Sequence, residues 1–178
     1  MYKNFDLDLG QISTIFFDVD GIFTDGSLYF MDNGSSMTKF NVYDGMGCIL
    51  LEEVGLELLI LTARHSDAVV KRFKELGITK IFTKVLKKRD FIKDYLKSHN
   101  LAKHEVAFMG DDLQDLAAIN EVGVFFTCSN AIDIVKESAH YVTLRSGGNG
   151  AVREISDLII RSKGSTPLLE FNRYLKKR

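Results

Sequence analysis

Residues 15–26 read IFFDVDGIFTDG, an apolar run that ends abruptly in carboxylates and glycine. The β-branched and aromatic residues 14–17 favour a buried parallel strand, and such strands present functional groups at their carboxyl ends. Asp18 and Asp20 can point into one crevice, because residues i and i+2 of an extended chain face the same side. Their mutual repulsion favours a raised pKa on one of them or a bound cation. Taken alone, the pattern is equally consistent with a solvated turn, since Asp and Gly are common turn residues.

A second apolar run, residues 106–115 (VAFMGDDLQD), also ends in glycine and carboxylates. Asp115 lies one helical turn beyond Asp111, with Asp112 between them. Acidic residues are also favoured in the first turn of a helix by the helix dipole, which is the simpler explanation for this cluster alone. Two acidic strand ends in one sheet would nevertheless converge on one crevice. Such an all-oxygen cluster suits magnesium rather than zinc.

Two further polar groups follow predicted strands. Thr62 and Arg64 come directly after the apolar residues 58–61, and their donors suit a phosphate or carboxylate. For Thr62 alone, capping of the following helix is the favoured interpretation. Residues 83–89 (TKVLKKR) carry several cations, most of which are expected to be exposed. Paired aspartates beside a phosphate would still require at least one fixed cation.

Strand-like apolar runs alternate with amphipathic segments along most of the chain. The predicted strands cover residues 14–17, 57–61, 80–82, 106–109, 123–126 and 141–142, and the predicted helices cover residues 66–76, 89–99 and 152–160. This alternation predicts an α/β fold with a parallel sheet and helices on both faces.

One segment interrupts the alternation. Residues 27–42 contain two short apolar arms about an Asp-Asn-Gly turn, which predicts a β-hairpin. Apolar and aromatic side chains on both arms, including Leu28, Phe30, Met37 and Phe40, favour self-association through the hairpin. Residues 165–178 are predicted to form a flexible or partner-docked tail.

Composition places the chain among ordinary globular domains. Its 178 residues predict a single domain, and 23 basic against 24 acidic residues offer no bulk attraction for nucleic acid. No run approaches the ~20 apolar residues that span a bilayer. Cys48 and Cys128 lack metal-site spacing, and residues 1–11 lack an apolar leader, so we expect a cytoplasmic protein with reduced, packed thiols.

The order of these motifs (DxDGxxTDG, a strand followed by Thr, a lysine, then GDDxxD) resembles the haloacid dehalogenase (HAD) superfamily of phosphotransferases. Within it, residues 12–163 resemble the family of 3-deoxy-D-manno-octulosonate 8-phosphate (Kdo 8-phosphate) phosphatases. The hairpin and residues 147–154 (GGNGAVRE) match stretches particular to that family. The resemblance implies a Rossmann-like, capless HAD fold with a hairpin insertion, and hydrolysis of a sugar-acid phosphate.

The resemblance also implies catalytic roles for four matched residues. Asp18 would attack phosphorus and form an aspartyl-phosphate. Asp20 would protonate the leaving sugar oxygen and then activate the water that hydrolyses the intermediate. Thr62 would hydrogen-bond the transferring phosphoryl group. Lys88 matches the motif lysine best, with Lys84 and Lys87 as rivals, and Asp20 and Lys88 would both contact the substrate.

Mg²⁺ is the cofactor that the resemblance implies. Its ligands would be the Asp18 carboxylate, the Asp20 backbone carbonyl and Asp111, with Asp115 or Asp112 reaching the ion directly or through water. The ion would neutralise an anionic nucleophile facing an anionic substrate.

Specificity and assembly are implied by the same resemblance. The hairpin would mediate a homotetramer, and the tail would close over a neighbouring active site. The sugar acid would contact five residues: Asn41, Asp44, Gly45, Arg64 and Arg72.

Two positions depart from the family pattern, Ala63 in place of a glycine and Tyr43 in place of an arginine. The second removes a positive charge near the predicted sugar site and affects the choice of sugar acid.

Three alternatives accompany this interpretation. The substrate could be another sugar-acid phosphate, such as the 9-phosphate of a nonulosonic (sialic-type) acid. A signalling receiver domain also combines paired aspartates, Thr and Lys, but there the lysine follows every aspartate, whereas Lys88 precedes Asp111. A catalytically silent oligomerisation module is the third alternative, against which the retained acidic and basic residues argue.

Overall fold

The computed structural model describes residues 8–177 and contains a six-stranded parallel sheet. Two further short strands pair as an antiparallel hairpin. In chain order the strands are β1 (Thr14–Phe17), β2 (Tyr29–Phe30), β3 (Ser36–Met37), β4 (Glu57–Leu61), β5 (Ile81–Phe82), β6 (Val106–Met109), β7 (Val124–Thr127) and β8 (Tyr141–Val142). The order across the sheet is β5-β4-β1-β6-β7-β8, so the chain reverses its direction of growth beside the central strand β1. The predicted α/β fold is confirmed.

In residues 8–177, seven α-helices flank the sheet, together with three short 3₁₀ turns. The α-helices are α1 (Val42–Glu53), α2 (Asp67–Glu75), α3 (Lys88–His99), α4 (Leu113–Leu116), α5 (Asp133–Ser138), α6 (Ala151–Ser162) and α7 (Pro167–Lys176). Helices α1, α6 and α7 pack against one another, whereas α4 contacts both α3 and α5. The three helices predicted from apolar periodicity correspond to α2, α3 and α6.

The core consists of the fully buried strands β1, β6 and β7 and the apolar faces of the helices. Every residue of these strands is buried, as expected for parallel strands covered on both faces. Cys48 and Cys128 are unpaired and buried, which agrees with the predicted packing role. None of the helices in residues 8–177 combines the length and hydrophobicity needed to cross a bilayer. Most of residues 1–11, on which the expected lack of a leader rests, lies outside the described residues, as does Arg178.

The hairpin is present but shorter than predicted. Tyr29 pairs with Met37 and Phe30 with Ser36, and Asn33 stabilises the turn by accepting hydrogen bonds from Ser35. Its second arm ends at residue 37, because Asn41 caps α1 and the helix begins at residue 42. Phe40, predicted to be exposed on this arm, instead packs against the core.

Residues 165–178 were predicted to form a flexible or partner-docked tail. Residues 167–176 form a helix, so the flexible alternative is wrong, whereas docking on a partner subunit stays a prediction. The Thr166 hydroxyl accepts a hydrogen bond from the Leu169 N–H, and Pro167 occupies the first turn, so residues 167–176 begin as a well-capped helix. Helix α7 packs against α1 and α6 of the same chain. Glu170 is fully buried there and bonded to Ser165 and Arg173. This segment is therefore an ordered part of the subunit.

Candidate active site

The predicted catalytic and metal-binding residues meet at the carboxyl edge of the sheet, beside β1. Strand β1 pairs with β4 on one side and β6 on the other, and β1 and β6 end in register at Phe17 and Met109. The residues that follow these three strands therefore emerge at the same edge. This is the topological switch point, where open α/β sheets bind their ligands.

A buried lysine joins the two acidic motifs. The Lys88 ammonium donates a hydrogen bond of 2.6 Å to Asp18 Oδ1 and another to Asp115 Oδ1. Lys88, Asp18 and Asp115 are 3%, 6% and 1% exposed. Lys88 is the first residue of α3, so the start of that helix delivers the cation. The rival lysines Lys84 and Lys87 are exposed.

Asp111 completes the carboxylate cluster. Asp18, Asp111 and Asp115 each offer one oxygen, and these oxygens lie within 4.8 Å of one another. Gly21, at φ +85°, allows the first acidic loop to approach, since a Cβ there would lie 2.0 Å from Asp111 Oδ2. The Thr24 hydroxyl holds the same loop by accepting hydrogen bonds from the N–H groups of Gly21 and Gly26.

The electrostatics of the cluster favour a cation. Burial, followed by repulsion from Asp115, raises the pKa of Asp18 to about 8 despite the attraction of Lys88. Burial, followed by repulsion from Asp115 and Asp112, raises the pKa of Asp111 to about 7. Burial alone would lower the pKa of Lys88, but Asp18 and Asp115 outweigh it and hold that pKa above its usual value. One lysine thus faces three carboxylates.

The donor set fits a magnesium ion, since its ligands are all oxygens and the carboxylates exceed the nearby positive charge. Asp115 already uses both oxygens, because Oδ2 accepts hydrogen bonds of 2.9 Å and 3.2 Å from the N–H groups of Asp111 and Asp112. These bonds favour contact of Asp115 with the ion through water, and they leave Asp18 and Asp111 as the better direct ligands. Asp112 is exposed and caps α4.

A glycine-rich loop supports the first acidic motif from behind. Gly147 lies so close to Gly21 that a Cβ there would be 1.7 Å from the Gly21 carbonyl oxygen, and the Gly148 N–H donates to Ile22 O at 2.9 Å. The Cys128 thiol, at the end of β7, donates to the same Gly21 carbonyl. Backbone-to-backbone packing against residues 21–25 thus explains the two glycines that begin the family-like sequence of residues 147–154.

A cavity of about 320 Å³ lies between the hairpin and the start of α2. Asp20, Thr62 and Arg64 line it, and Arg64 Nη1 is 3.7 Å from Asp20 Oδ1. The Thr62 hydroxyl accepts from the Arg64 N–H, whereas Ser66 is the N-cap residue of α2. Thr62 is therefore not the cap of α2, and the simpler interpretation of this residue is wrong.

Four of the residues predicted to bind the sugar, Asn41, Asp44, Gly45 and Arg72, do not line this cavity in the described part of the chain. Asp44 is 1% exposed, and its oxygens accept hydrogen bonds from the N–H groups of Gly150 and Arg153, so it holds the start of α6.

The other three also have partners within the subunit. Asn41 caps α1 and donates to Gly148 O. Gly45 faces the Arg72 guanidinium, which also pairs with Glu75. Contacts of these four residues with a substrate stay predictions.

Several cavity residues were not singled out by the sequence. His65 follows the predicted Thr62 and Arg64 directly, and its position in that loop was the available signal. Tyr29 lines the cavity from the hairpin, where its apolar neighbours had suggested only self-association. The role of Thr24 as an acceptor within the loop depends on tertiary geometry that spacing does not reveal.

Comparison with known proteins agrees with this site. Residues 75–155 match the haloacid dehalogenase-like hydrolase family. The chain is 33% identical over 162 residues to a 3-deoxy-D-manno-octulosonate 8-phosphate phosphatase of Haemophilus influenzae, covering 91% of this chain and 90% of that protein.

Two solved structures share the whole architecture. A HAD superfamily (subfamily III A) hydrolase from Legionella pneumophila superposes with a TM-score of 0.90 at 37% identity, covering 95% of this chain and 92% of that one. A 3-deoxy-D-manno-octulosonate 8-phosphate phosphatase from Moraxella catarrhalis, solved with magnesium, phosphate and KDO, superposes with a TM-score of 0.86 at 32% identity. The match covers 96% of this chain and 95% of that one.

Proposed function

This chain belongs to the Kdo 8-phosphate phosphatase family of haloacid dehalogenase-like hydrolases, and on that premise we propose that it hydrolyses Kdo 8-phosphate to Kdo and inorganic phosphate with Mg²⁺. The observation that carries the proposal is the buried Lys88, which bonds to both Asp18 and Asp115 beside Asp111. This cluster brings together a carboxyl group that can act as nucleophile, a fixed cation and a set of oxygen ligands at the carboxyl edge of the sheet.

Asp18 is the proposed nucleophile because it lies at the carboxyl end of the central strand. Lys88 fixes its Oδ1, which restricts the carboxylate to one orientation for attack on phosphorus. Attack forms the Asp18–phosphorus bond and breaks the bond between phosphorus and the sugar oxygen. Asp20 lines the adjacent cavity and donates a proton to that oxygen. Asp20 then takes a proton from the water that hydrolyses the aspartyl-phosphate.

Two donors around the nucleophile support the transferring group. The Thr62 hydroxyl and the Lys88 ammonium are both buried, so their interactions with phosphoryl oxygens are little weakened by solvent. Asp18 and Asp111 would hold magnesium, with the Asp20 carbonyl and Asp115 as further predicted contacts. When bound, the ion supplies charge neutralisation between the carboxylates and the phosphate.

The proposed substrate is chosen on the basis of similarity to known proteins. Full-length similarity to Kdo 8-phosphate phosphatases favours Kdo 8-phosphate over a nonulosonate 9-phosphate. The complete set of acidic and basic groups argues against a silent oligomerisation module.

Assembly as a homotetramer through the hairpin and residence in the cytoplasm are further parts of this proposal. Exposed hydrophobic side chains support the first of them. Leu28, Phe30 and Met31 are 55%, 71% and 51% exposed, which is typical of a surface that a partner covers.

Phosphate release from Kdo 8-phosphate and N-acetylneuraminate 9-phosphate, with and without Mg²⁺, tests the function. We expect Kdo 8-phosphate to be cleaved at least ~10-fold more efficiently, a difference of about 1.4 kcal/mol in transition-state stabilisation. Asp18→Asn serves as the inactive control. Failure of folded, magnesium-loaded protein to cleave either compound would refute both sugar-acid assignments and favour the silent module.

A further inference from the structure

We propose that His65 is a specificity-determining residue that donates a hydrogen bond to the carboxylate of the sugar-acid substrate. This inference rests on the proposed function, because it concerns the sugar end of the same substrate. His65 lines the cavity in the loop between β4 and α2, next to Arg64 and two residues before the start of α2.

The imidazole ring is oriented by contacts on both of its nitrogens. Nδ1 lies 3.2 Å from the Thr83 hydroxyl, which follows β5, and Nε2 lies 3.3 Å from Asp67 Oδ1, at the first residue of α2. If the Thr83 hydroxyl donates to Nδ1, the ring proton resides on Nε2. That tautomer directs an N–H toward Asp67 and the cavity.

The contact with Asp67 is readily exchanged. The Asp67 side chain is 100% exposed and that of His65 is 47% exposed, so solvent screens the interaction between them. A substrate carboxylate that enters the cavity can replace Asp67 as acceptor at Nε2. The Thr83 contact would be retained, and the ring would keep its orientation during the exchange.

The course of the reaction places the sugar acid in this cavity. In the proposed reaction the phosphoryl group lies at Asp18 and Asp20 protonates the leaving oxygen, so the sugar would extend from Asp20 into the cavity between the hairpin and α2. Arg64 is already partly neutralised by Asp20, 3.7 Å away. His65 is the neighbouring donor whose present acceptor, Asp67, is fully solvated, and it is therefore the better group to recognise a second anion.

A purely structural role makes a different prediction. His65 could serve only to hold the loop after β5 against the start of α2 through its contacts with Thr83 and Asp67, like a clip. Loss of such a clip would lower activity on every phosphate monoester to the same extent, whereas loss of a carboxylate contact would lower it only for substrates that carry a carboxylate.

The test compares Kdo 8-phosphate with p-nitrophenyl phosphate, which lacks a carboxylate. For His65→Ala we expect the ratio of kcat/KM values, Kdo 8-phosphate over p-nitrophenyl phosphate, to fall about 10-fold, through KM rather than kcat. His65→Gln, which retains a donor, should recover most of the ratio. His104→Ala, a histidine in the 3₁₀ turn before β6, is the matched control and should leave the ratio unchanged.

Binding of Kdo 8-phosphate to Asp18→Asn, with and without His65→Ala, separates this inference from the proposed function. Weaker binding in the double variant supports the contact even if the native enzyme prefers another substrate. Equal binding by both variants, or an unchanged kcat/KM ratio, overturns the role of His65. Failure of the wild-type protein to hydrolyse Kdo 8-phosphate overturns the proposed function instead.

Discussion

The two edges of the sheet each hold a lysine bonded to carboxylates, but the clusters differ in charge balance. At the carboxyl edge, Lys88 faces Asp18, Asp111 and Asp115 in a buried setting. At the amino edge, Lys80 donates to a single carboxylate, Glu57, and to the Tyr95 hydroxyl at 2.8 Å, while Tyr95 donates to Glu57 at 2.7 Å.

The difference in balance appears in the titration of the two clusters. Partial burial raises the pKa of Glu57, but hydrogen bonds from Lys80 and Tyr95 outweigh it and lower that pKa overall. Burial and repulsion instead raise the pKa values of Asp18 and Asp111. The cluster at the amino edge has balanced charges and stabilises the fold. The cluster at the carboxyl edge has excess negative charge, which favours binding of a cation and is typical of a catalytic site.

Loss of the Asp18 carboxylate should give the largest difference in kcat between matched variants at the two edges. We expect Asp18→Asn to lower kcat by at least about 10³-fold, since no nucleophile remains at the phosphorus. Glu57→Gln, the matched change at the amino edge, should keep kcat within about 2-fold because it touches no reacting group. Steady-state phosphate release measures both. A similar loss in the two variants would contradict the assignment of function to one edge.

Removal of each lysine should give the next largest contrast. Lys88→Met leaves buried carboxylates without their cation, and we expect it to lower stability by about 3 kcal/mol and kcat by about 10²-fold or more. Lys80→Met removes a half-exposed partner and should cost about 1 kcal/mol or less, with kcat retained. Urea unfolding at neutral pH, monitored by circular dichroism, gives the stabilities. Comparable losses of stability would show that burial does not distinguish the two ion clusters.

Magnesium should stabilise the folded protein only through the carboxylates at the carboxyl edge. At a Mg²⁺ concentration 100 times the Kd, a single site adds about 2.7 kcal/mol to the free energy of unfolding. We expect Asp111→Asn to abolish most of this increment, whereas Asp112→Asn keeps it, because Asp112 is exposed and caps α4. Glu57→Gln should also keep it. Thermal unfolding with MgCl₂ against EDTA provides the measurement, and a full increment in Asp111→Asn would refute the ligand assignment.

The sequence was a good guide to the carboxyl edge because its residues follow strands. Strand boundaries are encoded in local apolar runs, and parallel strands bring their ends together whatever the loops do. Asp18, Asp111 and Thr62 could therefore be placed without knowing any contact. Selection of Lys88 over Lys84 and Lys87 rested on the family resemblance, since all three occupy one short cationic run and only tertiary packing decides which side chain is buried.

Other features could not be predicted from the sequence because they depend on packing between distant segments. The family resemblance marked Asp44 as a substrate contact, which stays a prediction, but its hydrogen bonds to the start of α6 join residues more than 100 positions apart and have no local pattern. Helix α7 was missed although Thr166 and Pro167 are good start signals, because a charged terminal segment was taken for a tail. The cluster of Glu57, Lys80 and Tyr95 joins residues 15 to 38 positions apart, a spacing that carries no local pattern.

The smallest expected effect is the change with pH in the stability that the Glu57 carboxylate contributes at the amino edge. Because the folded-state pKa of Glu57 lies below its unfolded value, the ionised group stabilises the fold above about pH 4.5, and this contribution is lost as pH falls through the folded-state pKa. Glu57→Gln should therefore reduce stability by less than about 1 kcal/mol at pH 7, and the difference from wild type should shrink as pH falls through the folded-state pKa of Glu57. Urea unfolding of both proteins between pH 7 and pH 3 measures that difference. Protonation of the active-site carboxylates affects both proteins equally and therefore cancels in the comparison. A difference that persists unchanged at pH 3 would mean that Glu57 contributes through packing rather than charge, and the contrast between a balanced and an unbalanced cluster would then rest on the active site alone.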